Sequence, residues 1–164
     1  MDVLILAGCS GSGKTHLANG LSEDLDTSVV LSADKYMVDK NGNYAWDGRR
    51  IPECHNKCLQ EFTEIITSGL YTDHTGGTFR VQTLIVDNTN TKLQDLSPYA
   101  NLALAFGHQL RVVALRCDPE GAWRRNRHDT PLRYVVRQAR GLDKVIDRAP
   151  VGWNLEVLPI GKNL

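Results

Sequence analysis

The chain has 164 residues, of which 41% are hydrophobic and 23% are charged, an ordinary composition for a folded, water-soluble protein. Nineteen basic and nineteen acidic residues give a net charge of zero, which argues against a protein that coats nucleic acid without specificity. No apolar run is long enough for a membrane span and no secretory signal is visible. We therefore expect a single cytoplasmic domain over residues 1–164, with free thiols at its four cysteines and no obligate protein partner.

The charges are unevenly distributed along the chain. Residues 1–89 carry 7 basic and 12 acidic side chains, a net charge of −5, whereas residues 90–164 carry 12 and 7, a net charge of +5. A local basic surface is therefore compatible with the neutral total.

The first predicted elements are a strand, a glycine-rich loop and a helix. Residues 3–7 form an apolar, β-prone run, and residues 15–25 repeat apolar side chains on one helical face. Between them, the segment from Gly8 to Thr15 fits the P-loop template G-x-x-x-x-G-K-[ST] at every position. This order of elements predicts a binding site for a nucleoside triphosphate, with ATP and Mg²⁺ as the expected cofactors.

Each residue type in this loop suits a phosphate ligand. Glycines let the backbone approach phosphate oxygens, and the N–H groups at the start of the helix point at the anion. Lys14 supplies an ammonium group for the β- and γ-phosphates and is a predicted catalytic residue, while the Thr15 hydroxyl is a predicted Mg²⁺ ligand. The predicted nucleotide-binding residues are Gly8, Ser10, Gly11, Ser12, Gly13, Lys14, Thr15 and His16.

A second strand is predicted at residues 28–32, and Asp34 follows it directly. Phosphoryl transfer to an alcohol requires a group that accepts the hydroxyl proton, and a strand end in an open α/β sheet delivers residues to the ligand crevice. Asp34 suits this role, but it is equally suited to cap a short helix over residues 35–39. Both interpretations remain open from these residues alone.

Residues 52–68 predict a helix that ends at Gly69. Its apolar face would consist of Cys54, Cys58, Phe62, Ile65 and Ile66. The spacing of Cys54, His55 and Cys58 is compatible with a metal site, but no second paired cluster exists, and free thiols on a helix are favoured. Residues 71–80 contain Thr-Gly-Gly-Thr and predict a flexible loop.

A third strand at residues 83–87 ends in Asp87. An acid at the end of an apolar strand matches the second nucleotide motif, which holds Mg²⁺ directly or through water. The next residues, Asn88, Thr89 and Asn90, are suited either to orient an acceptor or to form an Asx-type turn, and both alternatives remain open.

The second half of the chain continues the alternation of helices and strands. Helices are predicted at residues 93–106, from 119 to about 127, and at 131–140, the last ending near Gly141, and strands at residues 110–115 and 155–159. The alternation predicts an α/β, P-loop NTPase fold with a parallel sheet of about five strands flanked by helices.

Arginines cluster before and after a break at residues 128–130. Phosphoryl transfer spreads negative charge over the γ-phosphate oxygens, and Arg124, Arg125 and Arg127 are predicted to stabilise it from a lid at about residues 124–140. Arg133, Arg137 and Arg140 recur at helical spacing, for which a solvated helix face is the favoured interpretation.

These segments resemble the phage-type 5′-polynucleotide kinases and the related small AAA-like P-loop kinase domains. The resemblance rests on Gly8 to Thr15, Ser32-Ala33-Asp34-Lys35-Tyr36, Val86-Asp87-Asn88-Thr89-Asn90 and Arg124-Arg125-Asn126, and it covers nearly the whole chain as a kinase module. It implies that Asp34 is the general base and that Arg125 and its neighbours are lid residues over ATP.

Two departures from that family concern the acceptor. Met37 stands where the phage-type enzymes have an arginine three residues beyond the base, with Arg49 and Arg50 as possible substitutes, and Asn88 stands at the aligned place of an acid. The predicted acceptor-binding residues are Tyr36, Arg49, Asn88 and Asn90. Tyr36, Tyr44 and Trp46 are suited either to stack on a base or to pack in the core.

The leading expectation is a kinase that moves the γ-phosphate of ATP to a hydroxyl group on nucleic acid. A terminal 5′-hydroxyl is the family default, and a hydroxymethyl group on a modified DNA base is a variant. The alternatives are a small-molecule kinase acting on a nucleoside or sugar, and a nucleotide-dependent ATPase switch that has no acceptor.

Overall fold

The computed structural model describes residues 1–24, 27–126 and 130–159. Within these ranges the strands are β1 (Asp2–Ala7), β2 (Ser28–Leu31), β3 (Leu70–Thr72), β4 (Thr78–Arg80), β5 (Thr83–Asp87), β6 (Gln109–Leu115) and β7 (Leu155–Leu158). The α-helices are α1 (Lys14–Asp24), α2 (Ile51–Ser68), α3 (Leu93–Ala105), α4 (Pro119–Arg125) and α5 (Leu132–Arg148). Strands and helices therefore alternate through most of the chain.

The central sheet has five parallel strands in the order β2-β5-β1-β6-β7. β1 lies in the middle, where Val3 is opposite Leu84 of β5 on one side and Leu110 of β6 on the other. It is buried from Val3 to Ala7, as expected of a parallel strand covered on both faces. The predicted fold class, a parallel sheet of about five strands flanked by helices, is confirmed. The Arg-bearing lid remains a prediction.

Helices cover both faces of this sheet. On one face, Ala18 of α1 packs in a buried cluster with Leu6 of β1. On the other face, Phe62 of α2, Leu96 of α3 and Leu142 of α5 share a larger cluster. The loops at the carboxyl edge of the sheet are thus held by a packed core on either side.

Helix α2 has the apolar face expected from the sequence, since the five predicted side chains are its buried residues. Gly69 ends the helix in a left-handed conformation, with a φ of 70°, and its N–H donates to the carbonyl of Ile65. Phe62 is fully buried, and its ring meets that of Tyr99 edge-on with centroids 5.0 Å apart. This packing fixes α2 next to the cavity described below.

The expectation of a flexible loop at residues 71–80 is wrong, because β3 and β4 form an antiparallel hairpin there. The Asp73 carboxylate accepts hydrogen bonds from the N–H groups of Thr75 and Gly77 at 2.8 and 3.0 Å, which closes the turn. The rings of Tyr71 and Phe79 meet across the strands with centroids 5.8 Å apart. The glycines that suggested a loop are therefore the turn of a hairpin.

The expectation that the last long helix ends near Gly141 is also wrong, since α5 continues to Arg148. A Cβ atom at Gly141 would lie 2.5 Å from the carbonyl oxygen of Thr91. The glycine therefore serves close packing of α5 against the segment before α3, rather than ending the helix.

The described residues contain no helix with the length and hydrophobicity needed to cross a bilayer. All four cysteines are free thiols, as predicted. No group of three or more His, Cys, Asp or Glu residues in the described part of the chain is arranged to hold a metal ion. The metal site considered for Cys54, His55 and Cys58 therefore has no counterpart there.

Candidate active site

The carboxyl ends of β1, β2 and β5 meet at one edge of the sheet, where open α/β folds bind their ligands. A cavity of about 130 Å³ lies at this edge. It is lined by Ser10, Gly11, Lys14, Thr15, Ala33, Asp34, His55, Asp87, Asn88 and Thr89. Seven of these were predicted as site residues, so the structure brings the phosphate loop, the candidate base and the candidate metal ligands together.

The loop between β1 and α1 has a left-handed backbone conformation, which favours glycine, at two of its positions. Gly11 and Gly13 have φ values of 78° and 98°. A Cβ atom at Gly11 would also lie 2.0 Å from the carbonyl oxygen of Ala122, so the loop packs directly against the backbone of α4. Gly8, Ser12, Gly13 and His16 belong to the same loop and first helical turn but do not line the cavity.

Lys14 is buried and folds back over its own loop. Its ammonium group donates hydrogen bonds to the carbonyl oxygens of Gly8 and Cys9, each at 2.9 Å, and lies 3.4 Å from the hydroxyl of Ser12. Burial lowers the pKa of Lys14, and the nearby carboxylate of Asp87 opposes that shift. The hydrogen bonds to the loop carbonyl oxygens thus hold the ammonium group beside its own loop, and Lys14 forms part of the cavity lining.

Asp87 ends β5 beside Thr15, and the two side chains are hydrogen-bonded, hydroxyl to carboxylate, at 2.7 Å. Burial raises the pKa of Asp87, while the Thr15 hydrogen bond and the charge of Lys14 lower it. A carboxylate and a hydroxyl oxygen this close together are ligands of the type that Mg²⁺ prefers. Thr15 and Asp87 are therefore the residues that would hold a magnesium ion, whose charge would neutralise phosphate oxygens there.

Asp34 lies in a 3₁₀ helix at Ala33–Tyr36, and its side chain reaches the cavity. The interpretation of Asp34 as the helix cap is wrong, because Ser32 holds the cap position and its hydroxyl accepts from the N–H of Asp34 at 3.3 Å. Asp34 and Asp87 line the same cavity, and after burial the charge of Asp34 also raises the pKa of Asp87. Asp34 therefore shares this cavity with residues of the phosphate loop.

Asn88 connects β5 to the segment that carries Asp34. Its Oδ1 atom accepts a hydrogen bond from the N–H of Ala33 at 2.8 Å, and its Nδ2 atom donates to the sulfur of Cys58 at 3.6 Å. These bonds use the amide within the protein, although one side of Asn88 lines the cavity. Its most direct effect is to hold the neighbour of Asp34.

Asn90 is buried away from the cavity. Its Nδ2 atom donates to the carbonyl oxygen of Leu6 at 2.8 Å, and its Oδ1 atom has no hydrogen-bond partner among the described residues. Its φ of 48° is left-handed, as in an Asx-type turn. The structure therefore places Asn90 as a support of the turn after β5.

Like Asn90, two further predicted acceptor residues lie outside the cavity lining. The Tyr36 hydroxyl is hydrogen-bonded to Glu61, and its ring packs on the core. The Arg49 guanidinium is exposed and pairs with Asp47 at 2.8 Å. Arg50 also acts locally, since it donates to the carbonyl oxygen of Tyr36 at 3.0 Å. The structure does not bring these groups together with Asp34 and the loop.

The other two aromatic side chains of that region are not core residues. Tyr44 is 46% exposed and Trp46 is 65% exposed. Core packing, one of the two interpretations of these residues, is therefore wrong for both, while base stacking stays a prediction.

The predicted lid arginines differ in their surroundings. Arg124 is exposed and lies 3.9 Å from Glu120, one helical turn away. Arg125 is also exposed, and its charge is a minor contribution to the lowered pKa of the Cys9 thiol in the phosphate loop, after the hydrogen bond from Cys117 and the charge of Lys14. Arg127 lies outside the described residues.

Besides the lining residues Ala33 and Thr89, two residues at the site were not predicted as site residues. His55 of α2 lines the cavity, although the sequence suggested only a weak metal motif for it. Gln138 of α5 accepts a hydrogen bond from the N–H of Ser10 at 2.9 Å, across 128 positions of sequence. The one signal available for His55 is its position beside the buried face of α2, and no local pattern signals Gln138.

The AAA domain family model matches residues 3–129, which is more than half of the chain and includes the loop, Asp34, Asp87 and Arg125. Human NEDD4-binding protein 2 is 29% identical over 145 residues, covering 82% of this chain and 7% of that protein. The chain is thus similar to a small part of a much longer protein.

Solved structures share the fold at low sequence identity. A chain of the Pnkp1/Rnl/Hen1 RNA repair complex superposes with a TM-score of 0.68 at 14% identity, over 89% of this chain and 45% of that one. A gluconokinase from Sinorhizobium meliloti 1021 gives 0.59 at 14% identity, over 99% and 84%. A deoxyadenosine kinase from M. mycoides gives 0.54 at 13% identity, over 96% and 90%. The fold is therefore that of P-loop kinases.

Proposed function

The chain belongs to the AAA domain family, and we propose that it is an ATP-dependent kinase that transfers the γ-phosphate to a hydroxyl group on nucleic acid, by its resemblance a 5′-hydroxyl end. The observation that carries the proposal is that Lys14, Asp34 and Asp87 line one and the same cavity. A phosphate loop alone is compatible with any nucleotide-binding protein. A carboxylate opposite the loop is the additional group that an alcohol acceptor requires.

The proposed reaction assigns each residue one task. The loop N–H groups and Lys14 bind the β- and γ-phosphates, and Thr15 and Asp87 hold Mg²⁺, which neutralises charge on the phosphate oxygens when bound. Asp34 accepts the proton from the acceptor hydroxyl as its oxygen forms a bond to the γ-phosphorus. The bond from the γ-phosphorus to the bridging oxygen breaks, and ADP leaves with that oxygen. Arg125 stabilises the charge that develops during transfer.

Nucleic acid is the preferred acceptor class on two grounds. The sequence resembles polynucleotide kinases at the segments around Asp34 and Asp87, and the RNA repair complex has the highest of the three TM-scores given above. The coverage of the gluconokinase and the deoxyadenosine kinase, 84% and 90% of those chains, favours a small-molecule acceptor as the second candidate. An ATPase switch without acceptor leaves Asp34 without a task.

The test is to incubate the protein with Mg²⁺, γ-labelled ATP and a panel of acceptors: 5′-hydroxyl DNA and RNA oligonucleotides, duplexes with a hydroxymethylated base, nucleosides and gluconate. We expect label on the 5′-hydroxyl oligonucleotides and none with the Lys14→Ala protein. If only nucleosides or gluconate are labelled, the acceptor is a small molecule and the proposal of a nucleic-acid acceptor is wrong. Release of labelled phosphate that no acceptor stimulates would contradict the kinase proposal.

A further inference from the structure

A second and larger cavity, of about 780 Å³, lies between α5 and the segment that enters α3. We call it the basic groove, since six of its lining residues are Arg or Lys. They are Lys92, Arg133, Arg137, Arg140, Lys144 and Arg148. The sequence-based interpretation of Arg133, Arg137 and Arg140 was a solvated face, and these three residues are exposed, as are Lys144 and Arg148. They also share one groove, which a solvated face does not require.

The charges of α5 are segregated by face. Its five basic residues all line the basic groove, whereas its two acidic residues, Asp143 and Asp147, do not. Asp143 is instead 3.4 Å from Arg116. In the part of the chain that the structure describes, no ion pair involves any of the five groove cations of α5. Like charges three or four residues apart destabilise a helix, so the mutual repulsion of these cations makes α5 less stable. A bound anionic ligand would offset this repulsion.

The basic groove adjoins the candidate active site. Thr89 lines both cavities. The Gln138 side chain on α5 accepts a hydrogen bond from the loop residue Ser10. The absence of a side chain at Gly141 lets α5 lie close against Thr91, because a Cβ atom there would be 2.5 Å from the Thr91 carbonyl oxygen. Helix α5 is thus joined to the phosphate loop by the hydrogen bond between Ser10 and Gln138 and packs against the segment before α3 at Gly141.

We propose that the basic groove binds the phosphodiester backbone of a single nucleic-acid strand whose 5′ end lies in the cavity at Asp34. This inference rests on the proposed function for the identity of the strand end. The cations extend from Arg133 to Arg148, a helical length of about 22 Å at 1.5 Å per residue, so the groove suits a row of phosphates rather than one. The ring of Tyr134 is 45% exposed beside Arg133, whose guanidinium lies over it at 5.1 Å, and offers a face on which a base stacks.

The neutral total charge is consistent with this assignment. A strand is attracted only where the cations are concentrated, so its binding is confined to the surface next to the phosphate loop. DNA and RNA share the phosphodiester chemistry that the groove recognises, and the experiment has an arm for each.

The experiment measures binding of fluorescent 5′-hydroxyl 12-mers of DNA and of RNA by anisotropy, without ATP, over a range of salt concentrations. The test variant is Arg137→Ala/Arg140→Ala/Lys144→Ala. The matched control is Lys57→Ala/Arg80→Ala/Arg111→Ala, which removes the same charge from exposed residues outside both cavities. Thermal unfolding verifies that each variant is folded.

We expect at least tenfold weaker binding at low salt for the groove variant, and wild-type behaviour for the control. Each phosphate contact on a single strand contributes about −0.7 to the slope of log K against log salt, so loss of three contacts reduces the slope by about 2. An unchanged slope and affinity in the folded groove variant, or an equal loss in the control, would overturn the proposal. If folding of the triple variant fails, Arg140→Glu alone is used, for which the loss of one contact reduces the slope by about 0.7.

The two proposals fail in different ways. Strand binding that depends on the groove, without phosphorylation of any 5′-hydroxyl strand, would refute the proposed function and leave the groove as a binding site. If strands are phosphorylated but their affinity does not depend on the groove cations, the proposal of strand binding in the basic groove is wrong and the proposed kinase function stands. A preference for the DNA or the RNA 12-mer identifies the strand.

Discussion

The hydroxyl of Thr15 donates a 2.7 Å hydrogen bond to a carboxylate oxygen of Asp87, and this bond joins the end of the phosphate loop to the end of β5. The phosphate loop and the end of β5, whose residues Thr15 and Asp87 are 72 positions apart in sequence, thus place two oxygen ligands side by side. In the proposed reaction that position belongs to Mg²⁺, with Asp34 on the acceptor side of the same cavity. The following expectations test this arrangement residue by residue.

The first prediction concerns the pH dependence of Mg²⁺ binding at Asp87. Burial raises the pKa of this carboxyl group, so on acidification it takes up a proton at a higher pH than an ordinary aspartate does. Only the carboxylate binds the cation. The affinity for Mg²⁺ is therefore expected to be highest at pH values above the raised pKa of Asp87, and to fall as the pH decreases through that pKa.

Calorimetric titration of Mg²⁺ with a non-hydrolysable ATP analogue between pH 8 and pH 4 measures this dependence. Asp87→Asn is the control, for which we expect weak binding that does not respond to pH in this way. A midpoint at or below the ordinary aspartate pKa of about 3.9 would show that burial does not raise the pKa of Asp87.

The second prediction concerns Lys14. We expect Lys14→Ala to reduce phosphoryl transfer by at least about 10²-fold, since the ammonium group stabilises charge on the β- and γ-phosphates. The fold should survive, because the loss of two hydrogen bonds to the carbonyl oxygens of Gly8 and Cys9 is offset by removal of a cation whose burial is unfavourable. Turnover and thermal unfolding are measured on the same preparation. Near-normal turnover would remove the phosphate loop from the mechanism.

The third prediction concerns Gly11, where both the backbone and the surroundings exclude a side chain. Its φ is 78°, and an added Cβ atom would lie 2.0 Å from the Ala122 carbonyl oxygen. We expect Gly11→Ala to weaken nucleotide binding at least tenfold, because the loop must separate from α4. Gly20→Ala is the control, since a Cβ atom there meets nothing within 4 Å. Equal nucleotide affinity of the two variants would contradict the close approach of the loop to α4.

The sequence was informative where one short segment determines both structure and chemistry. The loop from Gly8 to Thr15 and the acid at the end of β5 were recognisable because backbone conformation and ligand chemistry require those residue types at fixed spacing. Strand positions followed from apolar runs, because parallel strands are buried on both faces.

The sequence was uninformative where a residue acts through a distant contact. Gly141 looked like a helix end, but its lack of a side chain is explained by Thr91, which is 50 positions earlier in the chain. Gln138 has no local pattern at all, since its partner is the N–H group of Ser10. The basic groove likewise required the packing of α5 against the segment before α3, which helical spacing alone does not reveal.

The fourth prediction compares two adjacent arginines of α4. Both side chains are exposed, but Arg124 lies 3.9 Å from Glu120, whereas the charge of Arg125 contributes to the lowered pKa of the Cys9 thiol in the phosphate loop. We expect Arg125→Ala to lower kcat by at least tenfold with little change in ATP affinity, because a residue that acts on developing charge affects turnover more than binding. Arg124→Ala is the matched control and should have a smaller effect on kcat. Equal effects, confined to ATP affinity, would argue against a catalytic lid.

The central claim, that Asp34 accepts the proton of an alcohol, is tested most directly by Asp34→Asn. The amide has nearly the same shape, and the helix cap is unaffected because Ser32 provides it. ATP and Mg²⁺ binding should stay close to normal, since Lys14, Thr15 and Asp87 remain. The measurement is single-turnover transfer of labelled phosphate to the acceptor identified by the panel. The account predicts a decrease of about 10²- to 10⁴-fold at unchanged ATP affinity. Transfer at the wild-type rate would contradict it and remove Asp34 from the mechanism.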